Sequence, residues 1–219
     1  MNILHQIYFD LGKGKTLRKI SDFALCYDKT EVFCKNNNIQ HKLWTEKDVE
    51  DLLIDYPEYL DLYESFRYPI QKIDFARILI LYRYGGMYSD LDIFPFPNDN
   101  IDHLFEKEFW ISCWWENPKP YNALLGSKAN NPLLKEIITH MKESVESKSK
   151  MKIYDTWTAR YVFQTTGHHC IHRVLKRNKL DKNYLPIVSV WNNLKEISVC
   201  VPDNKALFMD YSSSVWYEK

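Results

Sequence analysis

Residues 69–93, PIQKIDFARILILYRYGGMYSDLDI, decide the fold class. Pro69 suits the first turn of a helix predicted over 69–84, and the glycine pair at 85–86 would end that helix. Apolar residues lie on both sides of the helix, which predicts that it is buried. A strand is predicted over 87–93, so a buried helix leads directly into a strand of a sheet.

The same alternation of strands and helices runs through the first half of the chain and predicts an α/β fold with one central sheet. Strands are predicted over 3–9, 41–44, 87–93, 109–115 and 122–126. Helices are predicted over 16–36, 46–53, 57–66, 69–84, 132–146 and 155–177, the last one interrupted near Gly167. The length of 219 residues predicts a single domain over 1–219.

The amino-acid composition indicates which binding partners and which cellular compartment to expect for the protein. Lys and Arg together number 29, as do Asp and Glu, so the net charge predicts no nucleic-acid partner. No uncharged run of about 20 apolar residues is present, which predicts no transmembrane segment. The 5 cysteines are scattered without a CxxC pair, and the N-terminal sequence lacks the pattern of a signal peptide. These features predict reduced thiols and a cytoplasmic protein, and they leave the oligomeric state open.

Two aspartates, Asp90 and Asp92, stand near the end of the quoted stretch. Side chains alternate along a strand, so both carboxylates are predicted to project to the same side. Two carboxylates that lie this close repel each other unless a cation or protons neutralise them. Mg²⁺ or Mn²⁺ would do so, especially with substrate phosphates completing the coordination shell. The pattern favours a metal site at a strand end; the alternative is an edge strand that carries two solvated acids.

Asp74 and Arg77 share one face of the predicted buried helix. Buried charges need partners, because an unpaired charge inside a protein is costly. One interpretation is an ion pair between these two residues that satisfies itself. The other is that both point into a polar pocket beside the aspartate pair and bind hydroxyls or phosphates there.

Taken together, these motifs resemble those of one protein family. Residues 74–92 match the pattern D-x-x-R…Y-G-G-x-Y-x-D-x-D of the family-32 glycosyltransferases, which include mannosyltransferases, bacterial capsule-sugar transferases and the large clostridial glucosylating toxins. Further similarities follow in order along the chain: HQIY at 5–8, Asn122 within YNALLGS, TGH at 166–168 and SSSVW at 212–216.

The resemblance implies a fold, a chemistry and partners. The fold would be GT-A, a Rossmann-like domain whose central mixed, mostly parallel sheet is flanked by helices. The chemistry would be metal-dependent transfer of a hexose with retention of configuration, as in polysaccharide biosynthesis, with Mn²⁺ or Mg²⁺ as cofactor. The sugar donor would be a UDP-sugar of the UDP-glucose or UDP-galactose type, or GDP-mannose. The acceptor would be a glycan, a lipid-linked molecule or a protein, and any membrane contact would be peripheral, through that acceptor.

The resemblance also implies roles for the matching side chains. Asp90 would contact the ribose and metal-bound water, and Asp92 would ligate the metal directly. Asp74 and Arg77 would hold hydroxyls of the sugar. Three further residues would contact the sugar donor: Tyr8 would stack on the base, Tyr88 would line the nucleotide site, and Asn122 would contact the sugar. Ser214 and Trp216 would belong to a C-terminal lid over about 200–219. The indole N–H of Trp216 would donate to the β-phosphate.

Two positions depart from the family pattern. Members often carry His or Glu near the closing Ser-Trp as a further metal ligand. Asp210 stands there in this chain, so the predicted metal ligands are Asp90, Asp92 and Asp210. His168 replaces the usual proline after Thr-Gly, and no role is carried over for that motif.

Several other interpretations remain. A phosphohydrolase of the haloacid-dehalogenase type also begins from D-x-D, but Phe94 stands where it needs Thr or Val and its later G-D-x-x-x-D is missing. A non-catalytic carbohydrate- or nucleotide-binding module is the other rival. The run HHCIH at 168–172 would need a further ligand to bind zinc. Otherwise it predicts a helix start with exposed imidazoles, and a further alternative is that His168 or His169 contacts the acceptor. Trp110, Trp114 and Trp115 suit either a sugar-stacking platform or core packing.

Overall fold

A computed structural model of the protein describes residues 2–10, 16–97, 101–114, 117–148, 158–180, 184–189 and 208–210. Within these residues the strands are β1 (Ile3–Ile7), β2 (Gln40–Trp44), β3 (Gly86–Ser89), β4 (Ile93–Pro95), β5 (Phe109–Trp114), β6 (Asn117–Ser127), β7 (Tyr184–Ser189) and β8 (Phe208–Asp210). The helices are α1 (Ser21–Asn36), α2 (Glu46–Leu53), α3 (Leu60–Glu64), α4 (Pro69–Tyr84), α5 (Asp102–Glu106), α6 (Pro132–Lys148), α7 (Thr158–Thr165) and α8 (His168–Arg177). Short 3-10 turns over Leu17–Lys19 and Pro57–Tyr59 precede α1 and α3.

The helix α4 is buried, as predicted, and it ends in a sharp reversal into β3. Pro69 occupies its first turn, and the side chains from Phe75 to Leu81 are almost fully enclosed. Gly85 and Gly86 have φ angles of 68° and 92°, which residues with a Cβ rarely adopt. A Cβ on Gly86 would also lie 2.5 Å from the carbonyl oxygen of Ile3, so the glycine lets β3 lie closely against β1.

The strands form a mixed sheet in the order β2-β1-β3-β6-β5-β7-β8-β4. β1 is parallel to β2 and β3, and β7 is parallel to both β5 and β8. β6 is antiparallel to β3 and to β5, and β4 is antiparallel to β8. It follows that β1, β2, β3, β5, β7 and β8 all run in one direction. Their C-terminal ends therefore share one edge of the sheet, called the carboxyl edge below.

Alternation along the strands divides the core between the two faces of the sheet. Tyr88 and Leu125 face the layer built by α2, α3, α4, α6 and α8. The neighbouring residues Met87 and Leu124 face a smaller layer that includes α1 and α5. Because both faces are covered, β1 and β3 are buried at nearly every position, including their polar residues.

Two features of the described residues bear on the predictions from composition. Within the described ranges, no helix combines the length and the apolar character that crossing a membrane requires. The cysteines that the structure describes, Cys26, Cys34, Cys113 and Cys170, are buried free thiols.

Two predictions about strand boundaries are wrong. The strand predicted over 87–93 stops at Ser89, because the N–H of Ile93 donates to the carbonyl oxygen of Asp90 at 3.2 Å and closes a turn. After that turn, β4 pairs with β8 instead of continuing along β3. The strands predicted over 109–115 and 122–126 form one hairpin, β5–β6, whose second strand begins much earlier than predicted.

Candidate active site

Polar side chains gather at the carboxyl edge, where β3 ends. The backbone N–H of Asp90 donates to the carbonyl oxygen of Ala123 at 2.7 Å, which extends the pairing of β3 with β6 by one residue. Asp92 lies in the turn before β4 and is half-buried. The two aspartates therefore flank a turn, and the prediction that they alternate along one strand is wrong.

Asp210 is brought to the same turn by the pairing of β4 with β8. It is the last residue of β8, so it lies at the carboxyl edge, directly opposite Ile93 in the register. Its side chain is fully buried. The electrostatics agree: burial raises the pKa of the Tyr121 hydroxyl well above its usual value, and Asp210, Asp92 and Asp90 raise this pKa further. The three predicted metal ligands thus all act electrostatically on this one hydroxyl, and the pairing of β4 with β8 brings Asp210 beside the turn that contains Asp92.

Arg77 reaches this place from α4. Its Nη2 lies 3.2 Å from Oδ1 of Asp74 and 3.3 Å from Oδ1 of Asp90, so one guanidinium bridges two carboxylates. Its Nη1 donates to the carbonyl oxygen of Asn122 at 2.5 Å. The guanidinium also lies over the ring of Tyr88, 4.7 Å from the ring centroid. The Nε–H of Arg77 is buried and has no hydrogen-bond acceptor among the described residues.

Both carboxylate oxygens of Asp74 are occupied by protein partners. Oδ1 accepts from Nδ2 of Asn122 at 2.9 Å, and Oδ2 accepts from the hydroxyl of Thr166 at 2.9 Å. Burial raises the pKa of Asp74, while Arg77 and the two hydrogen bonds oppose that rise. The predicted ion pair between Asp74 and Arg77 is therefore present, and it forms part of a larger network that also contains Asp90. Asp74 orients Arg77 and Asn122, and its contact with a sugar remains a prediction.

Asp90 combines a fixed backbone with a partly accessible side chain. Its carbonyl oxygen accepts from Nε2 of Gln6 at 3.3 Å, and the Tyr88 hydroxyl donates to its Oδ1 at 2.6 Å. The side chain is 27% exposed. Burial raises the pKa of Asp90 to about 6, against the opposing effects of Arg77 and Tyr88, and Asp74 and Asp210 raise it further. Among the described residues at this place, the carboxylates of Asp74, Asp90, Asp92 and Asp210 outnumber the guanidinium of Arg77.

This excess of carboxylates fits a divalent cation. A cation beside Asp90, Asp92 and Asp210 would relieve their mutual repulsion, and carboxylate oxygens are the ligands that Mg²⁺ and Mn²⁺ prefer. Among the described residues, no three His, Cys, Asp or Glu side chains are arranged as a metal-binding group on their own. Protein carboxylates would accordingly supply part of the coordination shell and substrate phosphates the rest.

The remaining predicted contacts to the sugar donor fall in different places. Tyr8 directly follows β1 at the carboxyl edge; its N–H donates to the carbonyl oxygen of Trp44 at 2.9 Å, and its ring is half-buried. Tyr88 and Asn122 belong to the Arg77 network described above. Ser214, Trp216 and most of the lid predicted over 200–219 lie outside the described residues.

Packing decides two of the alternatives that the sequence left open. Trp110 is 2% exposed and donates its Nε1–H to the carbonyl oxygen of Leu104 at 2.8 Å, so it belongs to the core. Trp115 and the side chain of Trp114 lie outside the described part of the chain. α8 begins at His168 as predicted, but its imidazoles are half-buried, and the prediction of exposed imidazoles is wrong. The cause is the Phe163 ring, which packs 4.5 Å from the His168 ring, centroid to centroid.

Sequence reasoning missed three side chains that support the site. Thr166 holds Asp74, Gln6 holds the backbone of Asp90, and Tyr121 lies among the carboxylates. A signal existed for all three, because Gln6 lies in the HQIY match, Thr166 in the TGH match and Tyr121 in the YNALLGS match.

The fold has a counterpart among solved structures. The chain superposes on the solved structure named "PaToxG Glycosyltransferase" with a TM-score of 0.51 and 16% identity, over 81% of this chain and 68% of that one. At this identity the likeness concerns the fold alone. The architecture is an α/β fold of the GT-A glycosyltransferase type, as predicted, with a mixed sheet flanked by helices.

Part of the sequence also matches a known family. Residues 21–110 match the family described as "Glycosyltransferase sugar-binding region containing DXD motif". That segment runs from α1 to β5 and contains Asp74, Arg77 and both aspartates of the β3–β4 turn. Over this segment the chain is similar to the DXD-containing glycosyltransferases.

Three relatives illustrate the similarity. The inositol phosphoceramide mannosyltransferase 3 of Schizosaccharomyces pombe is 31% identical over 104 residues, which is 47% of this chain and 28% of that protein. A mannosyl phosphorylinositol ceramide synthase of Saccharomyces cerevisiae is 47% identical over 146 residues, 64% of this chain and 34% of the relative. An uncharacterized glycosyltransferase of Acanthamoeba polyphaga mimivirus is 30% identical over 146 residues, 64% of this chain and 55% of the relative. The chain thus spans about half or less of the length of each of these relatives.

Proposed function

We propose that the protein is a metal-dependent glycosyltransferase that moves a hexose from a nucleotide-sugar donor to an acceptor hydroxyl. The observation that carries the proposal is the Arg77 guanidinium, held between Asp74 and Asp90 at the end of β3. This arrangement lies inside the segment that matches the sugar-binding family. It sets a fixed positive charge beside a group of carboxylates, as the binding of both a sugar and a metal diphosphate requires.

In this proposal each part of the site has one task. Asp92 and Asp210 would hold a divalent cation, with Asp90 beside them, and such a cation would supply positive charge for the diphosphate of the sugar donor. Arg77 sets a fixed positive charge beside Asp90, at the place where the sugar and the diphosphate would bind. Asn122, oriented by Asp74, contacts the sugar.

The chemical step breaks the bond between the anomeric carbon and the diphosphate oxygen, and forms a bond from that carbon to the acceptor oxygen. The leaving diphosphate gains negative charge, and a divalent cation held by Asp92 and Asp210 would supply Lewis-acid stabilisation of that charge. The guanidinium of Arg77 is fixed before reaction, so it adds favourable electrostatics without reorganisation. The acceptor hydroxyl attacks from the face of the leaving group and passes its proton to the departing phosphate oxygen, so configuration is retained without a protein nucleophile.

The names of the relatives favour a mannose donor. One yeast relative is named an inositol phosphoceramide mannosyltransferase, and the other is named a mannosyl phosphorylinositol ceramide synthase. GDP-mannose therefore stands beside UDP-glucose and UDP-galactose as a candidate sugar donor. The same names favour a lipid-linked acceptor among the three acceptor classes, and a protein that uses such an acceptor would work at a membrane surface.

Two measurements on the purified protein test the proposal. A thermal-shift screen of UDP- and GDP-sugars, each with and without Mn²⁺, is expected to give stabilisation by at least one nucleotide-sugar only when the metal is present. Hydrolysis of that same compound without acceptor is expected to require Mn²⁺ and to stop when the metal is chelated. A non-catalytic binding module would bind the compound without hydrolysing it.

A matched pair of variants tests whether hydrolysis depends on the carboxylate of Asp92. Asp92→Asn is expected to lower metal-dependent hydrolysis by about 100-fold or more, because it removes a charge that holds the cation against the diphosphate. Asp61→Asn removes a carboxylate from the exposed surface of α3 and is expected to leave the rate unchanged. Stabilisation by none of the compounds, or full activity in Asp92→Asn, would contradict the proposal.

A further inference from the structure

Two polar side chains connect the β3–β4 turn with the edge strand of the sheet. Gln6 comes from β1 and His41 from β2, which lies at one end of the strand order. Nε2 of His41 lies 2.9 Å from Oε1 of Gln6, and Nε2 of Gln6 donates to the carbonyl oxygen of Asp90 at 3.3 Å. One continuous chain of hydrogen bonds therefore leads from the edge strand to the first aspartate of the DXD motif.

The parallel pairing of β1 with β2 brings the two side chains together. His41 lies opposite Leu4 in the register, and Gln6 follows Leu4 by two residues, so the three side chains share one face of the sheet. On this face the ring of Tyr27, from α1, packs 5.1 Å from the ring of His41, centroid to centroid. Gln6 is fully buried and His41 is half-buried. Packing thus limits the rotamers that either side chain can adopt.

The direction of each hydrogen bond follows from the chemistry of the groups. A backbone carbonyl oxygen can only accept a hydrogen bond, so the group of Gln6 that faces Asp90 is its NH2 group. The amide oxygen of Gln6 then faces His41, and this oxygen can also only accept. Nε2 of His41 therefore carries a hydrogen, and the neutral ring is the Nε2–H tautomer. Burial lowers the pKa of His41, which favours the neutral ring.

The carbonyl oxygen of Asp90 is the point where the turn closes. The N–H of Ile93 donates to it at 3.2 Å, and the hydroxyl of Ser89 donates to it at 3.1 Å. Both of these donors belong to the turn or to the strand directly before it. Gln6 belongs to β1, so its hydrogen bond is the one of these three that ties the turn to the neighbouring strand. The position of Asp90, and with it that of Asp92 two residues later, therefore depends on the orientation of the Gln6 amide.

We propose that His41 is a positioning residue for the metal-binding turn, because it holds the Gln6 amide in the orientation that donates to Asp90. A flipped amide would place its oxygen against the carbonyl oxygen of Asp90 and leave two acceptors facing each other without a hydrogen. The flip would also set the NH2 group of Gln6 against the Nε2–H of His41, so His41 opposes it. This inference rests on the proposed function and deepens it, because it adds a residue of the edge strand to the support of the cation site.

Nuclear magnetic resonance of the isotope-labelled protein tests the orientation independently of activity. The ring nitrogens of His41 are expected to report the Nε2–H tautomer. The N–H of Ile93 is expected to exchange with solvent about tenfold faster in His41→Leu than in the unaltered protein, because the turn loses the support of Gln6. The opposite tautomer, or an unchanged exchange rate for Ile93, would overturn the inference.

Hydrolysis of the sugar donor measures the consequence for the site. The Mn²⁺ concentration that gives half of the maximal rate is expected to rise about tenfold in His41→Leu, as the loss of one buried hydrogen bond predicts. His41→Gln supplies an NH2 group in place of the ring Nε2–H and is expected to return this concentration to within about threefold of the unaltered protein. His103→Leu removes an exposed imidazole from α5 and is expected to change nothing. Equal impairment in His41→Gln and His41→Leu would show that the ring acts by packing and would refute the positioning role.

A double substitution tests whether His41 acts through Gln6. Gln6→Leu is expected to raise the Mn²⁺ requirement by itself, and adding His41→Leu is expected to raise it no further, because the same hydrogen bond is already lost. Effects that multiply in the double variant would contradict a shared pathway. An unaltered protein that hydrolyses no sugar donor would contradict the proposed function, while the tautomer of His41 and the exchange of Ile93 would still decide the present inference.

Discussion

Arg77 is the residue on which the site depends most. It is almost fully buried, and it neutralises Asp74 and Asp90 while also donating to the carbonyl oxygen of Asn122. A buried charge network adds little to stability as a whole, because the desolvation of its members offsets their attraction. Removing one member is different, since it leaves the others buried without compensation. Arg77 therefore links the stability of the fold to the chemistry of the site.

Arg77→Met keeps the length of the side chain and removes its charge. We expect this substitution to lower the free energy of unfolding by about 3–5 kcal/mol, because two carboxylates lose their shared partner. Urea unfolding followed by circular dichroism measures the change. Arg83→Met, on the exposed end of the same helix, serves as the control and is expected to stay within about 0.5 kcal/mol of the unaltered protein. A similar stability for both variants would mean that the charge network does not exist in solution.

At the scale of elements, local sequence predicted most of the helices and part of the sheet. α4 was predicted with its observed bounds, because its proline start, apolar faces and glycine stop are all encoded within the helix. The end of β3 was not predicted correctly, because β4 does not continue β3 but pairs with β8, which comes from the far end of the chain. The contact of Thr166 with Asp74 was missed for the same reason: it joins α4 to the junction of α7 and α8, and no local pattern specifies such a contact.

The hydrogen bond at the junction of α7 and α8 predicts a loss of stability when its hydroxyl is removed. Thr166→Val keeps the shape of the side chain but removes the hydroxyl that donates to Asp74 at 2.9 Å. We expect a loss of about 1–3 kcal/mol in stability, because Asp74 keeps its burial and loses one of its hydrogen bonds. The matched control is Thr139→Val on α6, whose exposed hydroxyl donates to the carbonyl oxygen of Lys135. Denaturant unfolding compares the two, and an equal loss in both would show that the Asp74 contact contributes nothing specific.

Across the whole molecule, parallel strands bring distant residues to one edge of the sheet. Asp90 and Asp210 are far apart in the sequence, yet both end strands that run in the same direction. The DXD motif alone indicated a metal site, and the sheet topology then explains how the late Asp210 reaches it. The role of the last segment, with Ser214 and Trp216, stays a prediction.

His5 connects three elements at the centre of the molecule and gives the fold a pH dependence. Its Nδ1 accepts from Nε1 of Trp44 at 3.1 Å, and its Nε2–H donates to the carbonyl oxygen of Gly85 at 3.0 Å, so the neutral ring is favoured. Burial lowers the pKa of His5 to about 4 in the folded protein. Below the usual pKa of a free imidazole the unfolded chain therefore binds a proton that the folded chain refuses. The stabilisation by His5 is complete above about pH 6.5 and is lost as the pH falls toward 4.

Comparison with His5→Asn isolates this effect. The difference in unfolding free energy between the unaltered protein and the variant is expected to grow by about 3 kcal/mol from pH 4 to pH 7. Contributions from all other groups cancel in this difference to first order. Unfolding curves at several pH values provide the measurement, and a difference that stays constant across the range would refute the buried neutral imidazole.

The most direct test of the account is the binding of Mn²⁺, measured by the loss of its free electron paramagnetic resonance signal. We expect tight binding only when UDP or GDP is present, because the protein carboxylates supply part of the coordination shell and the diphosphate supplies the rest. Asp92→Asn is expected to weaken this binding at least tenfold, and Asp61→Asn to leave it unchanged. Mn²⁺ bound with equal affinity by the unaltered protein and by Asp92→Asn would contradict the central claim that the β3–β4 turn holds the cation.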